Sequence, residues 1–308
     1  MKAPIHIFLL FSLLLLSCQE QDQPTASSEY VVEGWIEAGR HPIVKLTRSI
    51  PIPNTDKDDE RLSLDSLENY IVRWARITIS DGEQTVTLTG HMDNAYFPPY
   101  VYTTTDMKGQ PGRTYTLTVY CKDRAPIVAT TTIPDRSGQL VDSLTVEPVS
   151  NSDTLFQVVA HVSIPPYPVT YYRIFTNNNL DRSQDFYPSL LGVLRSNMIA
   201  DGRIDINQGR AVLRINTSEG IYKAVDYTPY FSHGDQIMVR FAQIDSTAYA
   251  FWRSFEDMLS LSRTPLFPST VNIPKALPNA YGFWQGWNAT YLSVKIPKSV
   301  DESFTISR

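Results

Sequence analysis

Residues 114–121 read TYTLTVYC, and this stretch decides the fold class that we predict for the 308-residue chain. Its large residues Tyr115, Leu117 and Val119 alternate with Thr116 and other polar positions. Because successive side chains of a β-strand point to opposite faces, a period of two predicts a strand with one buried face. Cys121 continues the buried face, so we expect a buried, unreactive thiol there.

The same alternation recurs on both sides of this stretch. It predicts strands at residues 30–37, 43–48, 76–80, 85–89 and 127–133. Residues 81–84 (DGEQ) carry an Asp-Gly hairpin signal, and residues 110–113 (QPGR) read as a turn. Six strands separated by turns predict an immunoglobulin-like or transthyretin-like sandwich as the N-terminal domain, residues 29–136.

The rest of the chain predicts a second β-rich domain, residues 137–308. Strands are expected at residues 144–149, 156–164, 170–176, 211–216, 222–226 and 236–244. One amphipathic helix is expected near residues 246–261, because Ala248, Phe251, Trp252 and Phe255 repeat at helical spacing. Asp245 or Ser246 would cap it. The predicted fold class is therefore mostly β.

The first residues resemble an export signal. Residues 1–17 combine a basic start with an apolar run too short to span a bilayer, which predicts a signal peptide. The run ends in LLSC at residues 15–18, a lipobox, so we predict lipidation of Cys18. Residues 18–28 are polar and predict a tether. Membrane anchoring through lipid on Cys18 is the expected result.

Composition narrows the classes of partner. A formal net charge of −5 is a poor fit to nucleic acid or to polybasic docking on a membrane. The chain has two cysteines, and lipid on Cys18 would leave no intrachain disulfide, so packing alone must supply stability.

No catalytic or metal-binding constellation is recognisable, and we expect neither an enzyme nor a cofactor. The histidines beyond the signal peptide, which show no ligand spacing, are His41, His91, His161 and His233. Residues 232–235 (SHGD) contain the residue types of a hydrolase triad, but neighbours in one tight stretch cannot converge as nucleophile, base and orienter. They predict a turn.

Two aromatic clusters are the candidate contact sites. Residues 96–102 are rich in aromatics and proline and predict a long loop, and residues 281–288 read YGFWQGWN. Aromatic rings stack on sugars and anchor protein interfaces, but they also fill cores, here as a late strand pair with glycine at the bend. The candidate contacts for a ligand or partner are Tyr281, Trp284, Trp287, Tyr291, Tyr100 and Tyr102.

The order of several stretches resembles a known family. VVEGWI at 31–36, ARITISDG at 75–82 and PGRTYTLTV at 111–119 are followed by Gly234-Asp235 and Gly282-Phe283. This order is similar to that of the Bacteroidota lipoproteins of domain-of-unknown-function family 4249. The resemblance covers most of the chain after Cys18, and it implies no catalytic residues.

That resemblance sets the functional expectation. Family members often accompany TonB-dependent receptors, which implies a lipid-anchored accessory protein of the outer membrane that binds the receptor or its glycan or peptide ligand. The acidic stretch at residues 19–22 (QEQD) resembles a signal for export to the cell surface. The alternatives are a surface adhesin or glycan-binding module and, with the least support, a hydrolase.

Overall fold

The structure is a computed structural model of the chain. It describes residues 29–49, 68–122, 124–135, 141–178, 186–209, 214–216, 221–223, 228–261, 276–298 and 306–307. The predicted signal peptide, Cys18 and the tether lie outside the described residues. Within the described part of the chain, no helix has the length and apolar character needed to cross a membrane.

The described residues of the N-terminal part form eight strands. They are β1 (Tyr30–Glu37), β2 (Ile43–Arg48), β3 (Arg76–Ser80), β4 (Thr85–Thr87), β5 (Thr89–Met92), β6 (Tyr100–Thr103), β7 (Thr114–Tyr120) and β8 (Ile127–Thr132). One sheet has the order β1-β2-β6-β5, and the other has the order β4-β3-β7-β8. Alternate side chains of both, including Val32, Leu46, Ile77 and Leu117, fill a common apolar core. This arrangement confirms the predicted mostly-β class and is consistent with a sandwich.

In the second part, the residues that the structure describes add eleven strands and an α-helix. They are β9 (Ser143–Pro148), β10 (Leu155–His161), β11 (Tyr171–Asn178), β12 (Tyr187–Arg195), β13 (Arg203–Ile206), β14 (Arg214–Asn216), β15 (Ile221–Lys223), β16 (Phe231–Ser232), β17 (Gln236–Ile244), α1 (Ser246–Leu261), β18 (Tyr281–Lys295) and β19 (Ile306–Ser307). A short 3-10 helix lies at Ser196–Met198.

One sheet of this part is covered on both faces. It has the order β12-β11-β17-β18, and a smaller sheet of β9, β10, β13 and β16 packs on one face. Helix α1 packs on the other. The predicted cap is confirmed, because the Ala248 amide donates to Asp245 Oδ1 at 2.7 Å.

Strand β18 belongs to two sheets in succession. Residues 281–287 pair in parallel with β1, whereas residues 288–295 pair antiparallel with β17. The hydrogen-bonded path therefore runs β12-β11-β17-β18-β1-β2-β6-β5. The apolar core of the sandwich comes mainly from residues 30–133, but β18 carries the C-terminal residue Trp284 into it.

Several local predictions need correction. Residues 100–103 form β6 rather than part of a long loop, because Tyr100 and Tyr102 find room in the core. The predicted strand at 85–89 is two short strands, since the chain changes sheets at buried Leu88. Residues 281–295 form one continuous strand rather than a bent pair. Cys121 follows β7 and is only partly buried.

Candidate functional site

An aromatic band crosses the face of the joined sheet that carries α1. Trp35 and Trp287 stack with their ring centroids 5.4 Å apart and their planes 10° from parallel. Tyr96 lies 6.2 Å from Trp35 on one side, and Phe175 lies 5.1 Å from Trp287 on the other. Trp252 of α1 extends the band, at 5.9 Å from Phe175. The band therefore begins in a loop of the sandwich and ends beneath the helix.

Strand register places charged groups beside this band. Glu37 is the direct partner of Trp287, and Arg240 is the direct partner of Tyr291. Directly paired residues point to the same side, and positions 287 and 291 of one strand share a face. The point where β18 passes from one sheet to the other thus brings these four side chains together.

Arg240 is the most unusual of these residues. Its guanidinium carbon lies 4.1, 4.7 and 4.6 Å from the ring centroids of Phe175, Phe186 and Trp287. The residue is only 7% exposed, and its buried Nε lacks a hydrogen-bond acceptor among the described residues. Burying a guanidinium with an unsatisfied N–H group lowers the stability of the fold, although cation–π contacts with the ring faces offset part of that loss. A hydrogen-bond acceptor from outside the described chain would satisfy this N–H group.

Glu37 supplies the nearby negative charge. Tyr291 donates its hydroxyl hydrogen to Glu37 Oε2 at 2.7 Å, and Arg40 Nε lies 3.3 Å from Oε1. Burial raises the pKa of Glu37, and the positive charge of Arg240 opposes that rise. Burial also raises the pKa of Tyr291 to about 12, so this phenol remains protonated and donating at neutral pH.

We call this group of residues the junction site. It comprises Glu37, Arg40, Phe175, Phe186, Arg240, Trp287 and Tyr291. Arg40 is largely exposed and stacks 4.3 Å over Tyr291, so the site extends from the buried Arg240 to the protein surface. Such a site can bind a carboxylate or another anionic group next to an apolar or planar moiety.

A second buried ion pair lies beneath α1 and has a structural role. Arg173 Nη1 lies 2.6 Å from Glu256 Oε1 and donates to the Ser189 carbonyl oxygen at 3.0 Å. Burial lowers the pKa of Arg173 to about 10, against the charge of Glu256. Because Glu256 is on α1 and Arg173 is on β11, the pair fastens the helix to the sheet.

The predicted contact residues separate into two groups. Trp284 and Trp287 are 5% and 2% exposed, and Tyr100 and Tyr102 are also buried. Trp284, Tyr100 and Tyr102 therefore occupy core positions, in agreement with the alternative interpretation of the aromatic clusters, whereas Trp287 is buried within the junction site. The hydroxyls of Tyr100 and Tyr102 donate to the backbone carbonyls of residues 73 and 72.

The other two predicted contacts remain accessible to different extents. Tyr291 is half-buried and belongs to the junction site. Tyr281 is 51% exposed and lies at the start of β18.

The sequence analysis missed Arg240, Glu37 and Phe186. The sequence does contain one signal for Arg240. It is the only charged residue in the otherwise largely apolar stretch QIMVRFAQI at 236–244. A charge within a buried strand is rare unless it is paired or functional.

Residues 232–235 form the predicted turn. The Asp235 amide donates to the Ser232 carbonyl oxygen at 3.2 Å, and the Ser232 amide donates to Asp235 Oδ2 at 2.8 Å. The His233 ring nitrogens lie near the backbone carbonyl oxygens of Pro297 and Asp153, so its ring is occupied by main-chain contacts. Across the residues that the structure describes, no three His, Cys, Asp or Glu side chains are grouped as metal ligands.

Comparison with known proteins places the chain in a family. The family described as "Domain of unknown function (DUF4249)" matches residues 19–291. The chain belongs to the DUF4249 family. No curated protein matches this DUF4249 chain.

Among solved structures, one match is a mutant of Salmonella alpha-2-macroglobulin, at 9% sequence identity and a TM-score of 0.22. That match covers 89% of the DUF4249 chain and 15% of the other protein. It carries no argument about fold or function.

The residues matched by the DUF4249 family, 19–291, include the whole junction site, from Glu37 on β1 to Tyr291 on β18. The site is therefore part of the family domain rather than of an appended segment.

Proposed function

We propose that this DUF4249 protein is a non-enzymatic, lipid-anchored accessory protein of the outer membrane that assists a TonB-dependent receptor. The signal peptide and lipobox ending at Cys18 support the anchoring. The family supports the accessory role by analogy. The protein would bind the receptor's ligand and present it at the receptor.

The observation that carries ligand capture is the buried Nε of Arg240, which has no hydrogen-bond acceptor among the described residues. An arginine held between three rings is pre-organised, so little side-chain entropy remains to be lost when an anion binds. The exposed Arg40 would attract an anion towards the buried cation. We therefore infer a ligand with a carboxylate or similar group, such as an acidic sugar or a peptide C-terminus.

Ligand capture is tested by native mass spectrometry of the protein purified from its own envelope. A bound small molecule should be present on the wild type and absent from Arg240→Gln. The matched control is Arg203→Gln. It removes an exposed arginine that pairs with Glu147 in the smaller sheet, on the face opposite α1 and the junction site. The same bound mass on all three proteins would exclude Arg240 as the binding group.

The accessory role is tested by pull-down of the tagged lipoprotein from detergent-solubilised envelopes. A TonB-dependent receptor should co-purify with the wild type. Its repeated absence under cross-linking conditions would contradict the proposal. Mass spectrometry of the N-terminal peptide tests the anchor, since acyl chains should be found on Cys18 and should be lost in Cys18→Ala.

A glycan-binding adhesin is the second candidate. It is favoured by the exposure of two rings, Trp74 at 95% and Tyr281 at 51%, because sugars stack on exposed aromatic faces. A glycan array with Trp74→Ala and Tyr281→Ala discriminates, and an array without signal removes this candidate. Trp284 and Trp287 are unsuitable for this test because their removal would disturb the core.

A further inference from the structure

One end of the N-terminal sandwich combines the chain entry with exposed aromatic and basic residues. The Ser49 amide donates to the Glu29 carbonyl oxygen at 2.7 Å, so β1 starts where β2 ends. Arg124, which follows β7, forms an ion pair with Glu29. The end of β7 and the start of β3 therefore lie at this end as well, because Arg76 pairs with Tyr120 across those strands.

We call this end of the sandwich the entry face. Its exposed aromatic and basic residues are Trp74, Arg76, Tyr120, Lys122 and Tyr281. Trp74 is 95% exposed, and Tyr120 is 40% exposed with the Arg76 guanidinium 4.7 Å from its ring centroid. At the same end, Arg73 pairs with Glu68 and Arg124 pairs with Glu29. Tyr281 reaches the same end because it pairs with Val31 at the start of β1.

We propose that the entry face rests on the surface of the membrane, against anionic lipid head groups. Tryptophan and tyrosine are enriched at the boundary between lipid and water, where one part of the ring is apolar and another is wet. Arginine and lysine add an attraction to anionic lipid that acts within a Debye length. This mixture differs from an ordinary charged surface, and it differs from a dry apolar patch that binds protein.

The position of the chain entry indicates which face lies nearest to the anchor. This step rests on the lipid anchor at Cys18 that the proposed function includes. Residues 18–28 can reach at most about 40 Å when fully extended. Glu29 directly follows this segment and lies at the entry face, so this face adjoins the anchored segment, and its aromatic and basic residues would turn it towards the bilayer.

The orientation has a consequence for the junction site. Strand β1 runs from Tyr30 at the entry face to Glu37 in the junction site. Seven steps along a strand correspond to about 23 Å. The junction site therefore faces away from the head groups, where a receptor or a soluble ligand can reach it.

The net charge of −5 had argued against docking on a membrane through basic residues. The fold changes that expectation locally, because the described residues of this end include five cations and two carboxylates. The cations are Arg48, Arg73, Arg76, Lys122 and Arg124, and the carboxylates are Glu29 and Glu68. Electrostatic attraction depends on the local charge within a Debye length rather than on the total.

The test uses the full lipoprotein reconstituted into vesicles of phosphatidylethanolamine and phosphatidylglycerol with brominated acyl chains. Bromine quenches tryptophan emission only at short range. The chain has five tryptophans, so contact of Trp74 with the interface should remove about a fifth of the emission relative to plain vesicles. This loss should vanish in Trp74→Ala, whose exposed position leaves the fold unchanged.

Charge variants test the basic component. The pair Arg76→Glu and Lys122→Glu should abolish most of the quenching. Lys108→Glu should leave it unchanged, because Lys108 is exposed beside Gly109, which bridges to Ala38 beyond the far end of β1. Equal emission of the wild type in brominated and plain vesicles overturns the proposal. Quenching that persists in Trp74→Ala also overturns it, because another face would then contact the lipid.

Flotation and mass measurement on the same samples separate the two proposals. A lipidated protein that floats with the vesicles but shows no quenching overturns only the entry face. A protein that carries no acyl mass and does not float overturns the anchor and the entry face together.

Discussion

Trp284 and Trp287 lie three residues apart on β18, and they are buried in different environments. Trp284 enters the apolar sandwich core, where its Nε1 donates to the Tyr115 carbonyl oxygen at 3.0 Å. Trp287 lies on the opposite face, stacked on Trp35 and in contact with the Arg240 guanidinium. An odd spacing on a strand produces this difference, because alternate residues point to opposite sides.

The face of β18 that carries Trp284 contributes to stability, whereas the face that carries Trp287 is the candidate for ligand recognition. The sandwich core needs no buried charge, since apolar burial and satisfied hydrogen bonds suffice. The other face buries Arg240, Glu37 and the pair of Arg173 with Glu256. Buried charges lower stability relative to apolar residues of equal size. The Arg173 pair attaches α1 to the sheet, so Arg240 and Glu37 are the buried charges that make this face a candidate for binding.

The largest expected effect is that of Trp284→Ala. Removing a buried tryptophan should lower the free energy of unfolding by about 4 kcal/mol, measured by urea denaturation. Because β18 pairs with both β1 and β17, we expect the two parts to unfold in one transition. Trp74→Ala is the exposed control and should change stability by less than about 0.5 kcal/mol. A loss below about 1 kcal/mol for Trp284→Ala would contradict its place in the core.

Arg173→Met tests the charged face. Leaving the carboxylate of Glu256 buried without its cation should cost about 3 kcal/mol. The double variant with Glu256→Leu should recover most of that loss, because both buried charges are then removed. A double variant as unstable as Arg173→Met alone would show that the pair has another role.

Gly34→Ala tests the close approach of β1 to Trp284. A Cβ atom at position 34 would lie 2.8 Å from Trp284 Cε3, which is too close without movement of the ring. We expect a loss of about 2 kcal/mol in thermal or chemical unfolding. In a Trp284→Phe background the same change should cost less, since the smaller ring leaves space. Equal costs in both backgrounds would argue against this contact.

The smallest effect is expected at the Asp81 turn, through pH. The pKa of Asp81 is lowered, chiefly by the Gln84 backbone N–H, which donates to Oδ1 at 2.9 Å. A carboxylate with a lowered pKa stabilises the fold above its unfolded pKa of about 4, and the stabilisation disappears as the pH falls through the folded pKa. Asp81→Asn should therefore cost about 0.5 kcal/mol at pH 7, and the difference from the wild type should vanish in acid. A difference that persists at pH 2 would exclude the ionised carboxylate as its source.

The sequence by itself determined many of the local elements. The predicted bounds of β1 (Tyr30–Glu37), β2 (Ile43–Arg48), β3 (Arg76–Ser80) and β17 (Gln236–Ile244) agree with the structure. The Asp-Gly hairpin and the Asp245 cap were also predicted correctly. These features depend on hydrophobic period, turn chemistry and capping, which are encoded by residues close together along the chain.

Only the tertiary structure decided that β18 pairs with both β1 and β17, and which side chains this pairing brings together. The hydroxyl of Tyr291 meets Glu37 across a sequence separation of 254 residues, and no local pattern specifies that register. Aromatic residues have the same signature whether they fill a core or line a site, so the sequence could not separate Trp284 from Tyr291. Burial and pairing are properties of the assembled sheets, and for that reason the junction site and the entry face became visible only in the fold.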